Sequence, residues 1–177
     1  MPFIDRKTHQ LFIETRGAGT PEFICLHGLV DSVAIWKRLA PALEERGRAT
    51  LVDQRGHGQS NAPAGHAERQ DLARDITATL DSLGIERAIL VGHSMGGAVA
   101  LQAALDGPGD VRALVICSTP LAFLVPEFLL EPLRRVTEGK ARRQFERGAY
   151  SPATPDEIVH RGFMEDARTD PRVMYGD

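Results

Sequence analysis

The stretch Val91-Gly92-His93-Ser94-Met95-Gly96-Gly97 sets one serine among small residues. An apolar run from Ala88 leads into it, and Ala98-Val99-Ala100 follows without a break. The order is strand, tight turn, helix, with Ser94 at the apex. A serine on such a turn projects its hydroxyl away from the sheet, and small neighbours are needed because backbone passes on both sides. The helix that follows points its free N–H groups and the positive end of its dipole at any oxyanion formed beside the serine. That pattern fits nucleophilic attack with stabilisation of the negative charge it creates. An ordinary glycine-rich turn is the alternative, and the flanking strand and helix weigh against it.

The six histidines are the natural candidates for a base. His93 adjoins Ser94, but neighbours at a strand end point to opposite sides, so it reads as a packing or hydrogen-bonded residue. His57 sits in a glycine-flanked loop and reads as turn structure. His66 and His160 read as solvated, and His9 stands in no constellation. Cys25 and Cys117 each lie inside an apolar, strand-like run. Both are expected to be reduced and buried, which suits a cytoplasmic compartment and neither a disulfide nor a metal site. No metal or cofactor is expected.

These residues must be positioned by a regular frame. Residues 2–6 and 10–15 predict two short antiparallel strands, with the turn-rich segment 16–21 after them. Residues 22–27 predict an apolar strand ending at Gly28. Trp36, Leu39, Ala40 and Leu43 recur at helical spacing and predict a one-faced helix that ends before Gly47. Residues 49–53 predict another strand, and Leu72, Ile76, Leu80 and Leu83 mark one face of a helix stopped by Gly84. The run 111–117 predicts a further buried strand. Near-continuous apolar strands alternating with helices imply a mostly parallel sheet covered on both faces, an α/β fold.

Beyond residue 118 the rhythm changes. Phe123, Leu124, Phe128, Leu129 and Leu133 are dense in one helical patch. Thr154-Pro155-Asp156-Glu157 predicts a helix start, with Thr154 as N-cap, Pro155 at the first position and Glu157 completing a capping box. Asp170-Pro171 predicts another. The chain therefore divides into a core, residues 1–118, and a helical lid, residues 119–177.

At 177 residues, 42% hydrophobic and 25% charged, the chain has the length and composition of one globular domain. A net charge of −3 gives no field for nucleic acid or acidic lipid. Arg134, Arg135, Arg142, Arg143 and Arg147 are interspersed with Glu131, Glu138 and Glu146, the pattern of a solvated helix face. The amino terminus has no long apolar segment, and no apolar stretch approaches membrane-spanning length.

His27-Gly28 after the first parallel strand, Asp53-Gln54-Arg55-Gly56-His57-Gly58-Gln59-Ser60 after the second, and Gly92-His93-Ser94-Met95-Gly96-Gly97 occur in an order that resembles the α/β-hydrolase fold. The similarity is to the esterase, lactonase and carbon–carbon hydrolase branch, because related dehalogenases and epoxide hydrolases carry aspartate where Ser94 stands. The resemblance implies Ser94 as nucleophile, with oxyanion donors at the backbone N–H groups of Met95 and Leu29, whose side chains are free to line an acyl pocket. It implies His27, Gly28 and His93 as site-shaping residues, and Asp53 as the tie of the Arg55 loop. In this family the acid and the histidine follow the serine late in the chain. Some relatives place the acid directly after the strand at 111–117, where this chain has Cys117-Ser118-Thr119.

The triad acid and base are therefore expected beyond Asp177, and the chain is expected to be a fragment lacking the last strands. The expected activity is hydrolysis of a small ester, thioester or lactone through an acyl-enzyme. Carbon–carbon hydrolysis is the alternative within enzymes, and a non-catalytic binding or sensing module or an inactive remnant is the alternative outside them. The expected partner is a small acyl substrate, with no nucleic acid and no membrane. An unpaired sheet edge would favour self-association.

Overall fold

In a computed structural model the described residues are 2–62, 67–107, 109–120, 127–142 and 144–173. Six strands form one sheet: β1 (Phe3–Asp5), β2 (Gln10–Arg16), β3 (Glu22–Leu26), β4 (Arg48–Val52), β5 (Ala88–His93) and β6 (Val111–Cys117). Their order across the sheet is β1-β2-β4-β3-β5-β6, with β3 to β6 parallel and the first two strands antiparallel at one edge.

The alternation of side chains along β3 explains why the sheet is covered twice. Ile24 and Leu26 point to one face, where they join Val52, Leu90 and the apolar stripe Leu72, Ile76 and Leu80 of α2 (Arg69–Leu83), with Val99 and Ala103 of α3 (Met95–Asp106). Phe23 and Cys25 point to the other face and pack with Leu51, Val91, Val33, Trp36 and Ala40. Both layers therefore meet at β3, four of whose five residues are buried. Gly84 ends α2 in the left-handed conformation, as expected of a C′ glycine. The start of α2 is closed by a reciprocal capping box between Glu68 and Asp71.

Several expectations change. The single helix expected around Trp36 is a 3-10 helix over Val33–Arg38 followed by a short α1 (Ala40–Glu44). Pro41 has no N–H to carry an α-helix through the junction, so the segment turns there and leaves Leu39 exposed while Trp36 and Ala40 stay buried. Strand β6 is not buried. It is the edge of the sheet among the described residues, and most of its side chains, Cys117 included, are exposed.

After β6 come α4 (Glu127–Thr137), a 3-10 turn at Arg147–Ala149, α5 (Asp156–Arg168) and a 3-10 turn at Pro171–Val173. The N-cap of α5 is Pro155, with no side-chain cap, and not Thr154. The extended backbone of Pro155 keeps it outside the helix, so Glu157 falls one position short of a capping box. Phe128 is exposed. Phe123, Leu124, the side chain of Leu129, His66, Arg143 and Asp177 lie outside the described residues. Among the described residues no helix is long and apolar enough to cross a membrane.

Candidate functional site

Ser94 joins β5 to α3 with φ 52° and ψ −119°, a conformation that costs a residue with a Cβ about 1–3 kcal/mol. The surrounding structure over-determines it. Its N–H donates to the Cys117 carbonyl at 2.9 Å, and its carbonyl accepts from Gly97 N–H at 3.0 Å and from Thr119 Oγ1 at 2.8 Å. A Cβ on Gly96 would collide with the carbonyls of Leu26 and His27, so only glycine lets α3 pack this closely on the end of β3. Gly28 is confined less severely: a Cβ there would lie 3.2 Å from both His93 Nδ1 and Ser94 Cβ. The loop after β3, the end of β5 and the start of α3 thus converge at one point.

Two backbone N–H groups near this convergence, those of Met95 and Leu29, make no hydrogen bond among the described residues. Met95 is the first residue of α3, so its N–H has no partner within the helix. Leu29 follows Gly28 in the loop that faces Ser94, and Val30 beyond it is held at φ 60°. The Met95 side chain packs against the α2–α3 core layer. A cavity of about 570 Å³ lies between α4, α5 and this loop, lined by Val30, Leu133, Val136, Phe145, Tyr150 and Gly162, and not by Leu29, Met95 or Ser94.

The histidines are largely engaged elsewhere. His27 is fully buried; its Nδ1–H donates to the Gly28 carbonyl at 2.7 Å, and its Nε2 accepts from Gln54 N–H at 3.0 Å. Burial, with the neighbouring His57 ring adding to it, pushes the His27 pKa down to about 3, so the ring is neutral. His57 is also buried, donates Nδ1–H to the Arg55 carbonyl at 3.0 Å, and lies 5.0 Å from His27 ring to ring. His93 Nδ1 is buried beside Gly28 without a hydrogen-bond partner among the described residues. His160 is exposed. Among the described residues no side chain hydrogen-bonds the Ser94 hydroxyl, and no cluster of three His, Cys, Asp or Glu could hold a metal ion.

Carboxylates frame the loops. Asp53 accepts Val33 N–H at 2.7 Å and Gln59 N–H at 2.8 Å, tying both following segments to the end of β4. Burial pushes its pKa up to about 6, against those two hydrogen bonds. Burial also raises Asp31, with the Glu165 charge reinforcing it. His9, which stood alone in the sequence, is buried and pairs through Nε2 with Asp75 at 3.1 Å. Asp75 also holds Arg55 at 2.6 Å and Arg6 at 3.2 Å, so the Arg55 loop is anchored to α2.

A family model for the alpha/beta hydrolase fold matches residues 21–164. The chain is similar to an epoxide hydrolase of Caballeronia sordidicola, 31% identical over 168 residues that cover 93% of this chain and 49% of that relative. It is also similar to a 2-(acetamidomethylene)succinate hydrolase of Mesorhizobium japonicum, 37% identical over 105 residues covering 59% and 37% respectively. The chain thus spans at most about half of these curated relatives. A hydrolase from Pseudomonas aeruginosa PA01 superimposes with a TM-score of 0.82 at 26% identity, covering 97% of this chain and 68% of that one. With its strained serine between β5 and α3, its two-faced sheet and these similarities over most of its length, the chain belongs to the alpha/beta hydrolase fold family.

Proposed function

We propose that this chain carries the nucleophile and oxyanion hole of a serine hydrolase acting on a small carboxylic ester, thioester or lactone. Ser94 Oγ attacks the acyl carbon, and the carbonyl oxygen becomes an oxyanion received by the N–H groups of Met95 and Leu29. The alcohol or thiol departs with a proton, and water then hydrolyses the acyl-enzyme to release the acid and restore the hydroxyl. His27 and Gly28 shape the turn that presents Leu29. The lone pair of His27 is already used by Gln54, and His57 is buried beside it, so in this reading neither is the general base, which is expected from another part of the protein. The helices after residue 126 act as a lid.

The observation that carries this reading is the strained, positive-φ serine at the start of α3. The exposed free thiol of Cys117 supports a reducing, cytoplasmic compartment. The test is hydrolysis of p-nitrophenyl esters, together with fluorophosphonate labelling, by the full-length gene product and its Ser94→Ala variant. Loss of both in the variant is expected. A Ser94→Ala protein as active as its parent overturns the reading and leaves a binding module in its place.

A further inference from the structure

The segment after β6 reaches back to the serine. Ser118, like Ser94, is a non-glycine residue with φ 52°, and this turn brings the Thr119 hydroxyl within 2.8 Å of the Ser94 carbonyl, with the Cys117 carbonyl a more distant acceptor at 3.2 Å. Room for the hydroxyl is made by Gly97, where a Cβ would collide with Thr119 Oγ1. The Ser94 carbonyl and the Met95 N–H belong to the same planar peptide unit and point in opposite directions from it. Whatever fixes that carbonyl therefore aims that N–H.

We propose that Thr119 is a positioning residue for the oxyanion hole: by donating its hydroxyl proton to the Ser94 carbonyl it locks the Ser94–Met95 peptide so that the Met95 N–H faces the developing oxyanion. The hydrogen bond also polarises the peptide, which makes its N–H a stronger donor. This inference rests on the serine-hydrolase reading above and adds to it a residue that touches neither substrate nor nucleophilic oxygen. Threonine suits the place because its hydroxyl provides the hydrogen bond to the Ser94 carbonyl.

The test compares Thr119→Val and Thr119→Ser with the parent and with Ser94→Ala, all in the full-length gene product, by kcat and KM for p-nitrophenyl butyrate. Valine keeps the shape and removes the donor; serine keeps the donor. With Ser94→Ala inactive, Thr119→Val is expected to lose about 10- to 100-fold in kcat at nearly unchanged KM, because a misaimed oxyanion donor weakens the transition state and not substrate binding. Thr119→Ser is expected to recover most of that loss. A Thr119→Val enzyme with the parent's kcat, or a Thr119→Ser enzyme as impaired as Thr119→Val, overturns the proposal while leaving Ser94 in its role. Hydrolysis that survives Ser94→Ala, or no Ser94-dependent hydrolysis in the parent, overturns the underlying reading and this proposal with it.

Discussion

Gln54 holds His27 from two sides: its backbone N–H donates to His27 Nε2 at 3.0 Å, and its side-chain amide donates to the His27 carbonyl at 2.6 Å. The ring is thereby fixed as the Nδ1–H tautomer, its one ring N–H donated to the Gly28 carbonyl. A histidine so enclosed is a structural pin between the ends of β3 and β4.

The pin predicts the shape of the acid limb of stability. His27 is held at about 3 against an ordinary 6.5, so the stability it contributes is present above pH 6.5 and is lost as pH falls toward 3. Asp53, raised to about 6 from 3.8, acts oppositely: the folded chain takes up its proton first, gaining stability as pH falls from about 6 to 3.8. Each proton is worth about 1.4 kcal/mol per pH unit, so the two nearly offset between pH 6 and 4. Below 4 the His27 loss is unopposed, and it is joined by Asp170, whose carboxyl Arg172 holds below the ordinary range. Denaturant midpoints measured against pH should show a shoulder between 6 and 4, then a steep fall. In Asp53→Asn the shoulder should vanish; a steady slope through that range in the parent would contradict the assignment.

Ser94→Gly should make the protein more stable while removing the hydroxyl. The backbone at φ 52° strains any residue with a Cβ, and relief of roughly 1–3 kcal/mol exceeds the extra chain entropy of glycine. Ser94→Ala keeps the strain and should leave the denaturation midpoint close to that of the parent. Equal midpoints for the glycine and alanine variants would mean that the turn relaxes without strain.

Asp75→Ala should be among the costliest single changes in the chain. It strands Arg55 and His9, both buried, and removes the anchor of the loop that carries His57. Breaking one partner of a buried ion pair costs about 3–5 kcal/mol, whereas the exposed Arg161–Glu157 pair on α5 should be worth no more than about 0.5 kcal/mol. Urea unfolding of Asp75→Ala and Glu157→Ala separates the two cases.

Strand β6 is expected to make residues 1–177 self-associate. Val115 and Ile116 point to opposite faces and are 45% and 41% exposed, so both faces are open as well as the edge. Sedimentation velocity should show concentration-dependent association that Val115→Lys weakens. A monomer at all concentrations would remove self-association from the expected partners.

What was legible in the sequence was what short-range pattern encodes. The alternation at Phe23-Ile24-Cys25-Leu26, the stripe on α2 with its terminal Gly84, and the serine turn all rest on neighbours within a few residues. The apolar spacing around Trp36 is that of one helix, but Pro41, which lacks an N–H, divides it into a 3-10 helix and a short α-helix. The exposure of β6 is not legible, because an apolar run looks alike in the middle of a sheet and at its edge. The His9–Asp75 pair spans 66 positions and the Thr119–Ser94 contact 25, and no local pattern announces either.

The strand order has a consequence for assembly. β3 reaches β4 across the short connection that contains α1, but reaches β5 only by closing the much longer one that contains α2. Loop-closure entropy therefore favours β3–β4 pairing first. The conformation of Ser94 needs β3, β5 and the end of β6 together, so it is among the last parts of the chain to become native. Until then Ser94 is free of the positive-φ strain that the assembled sheet imposes on it.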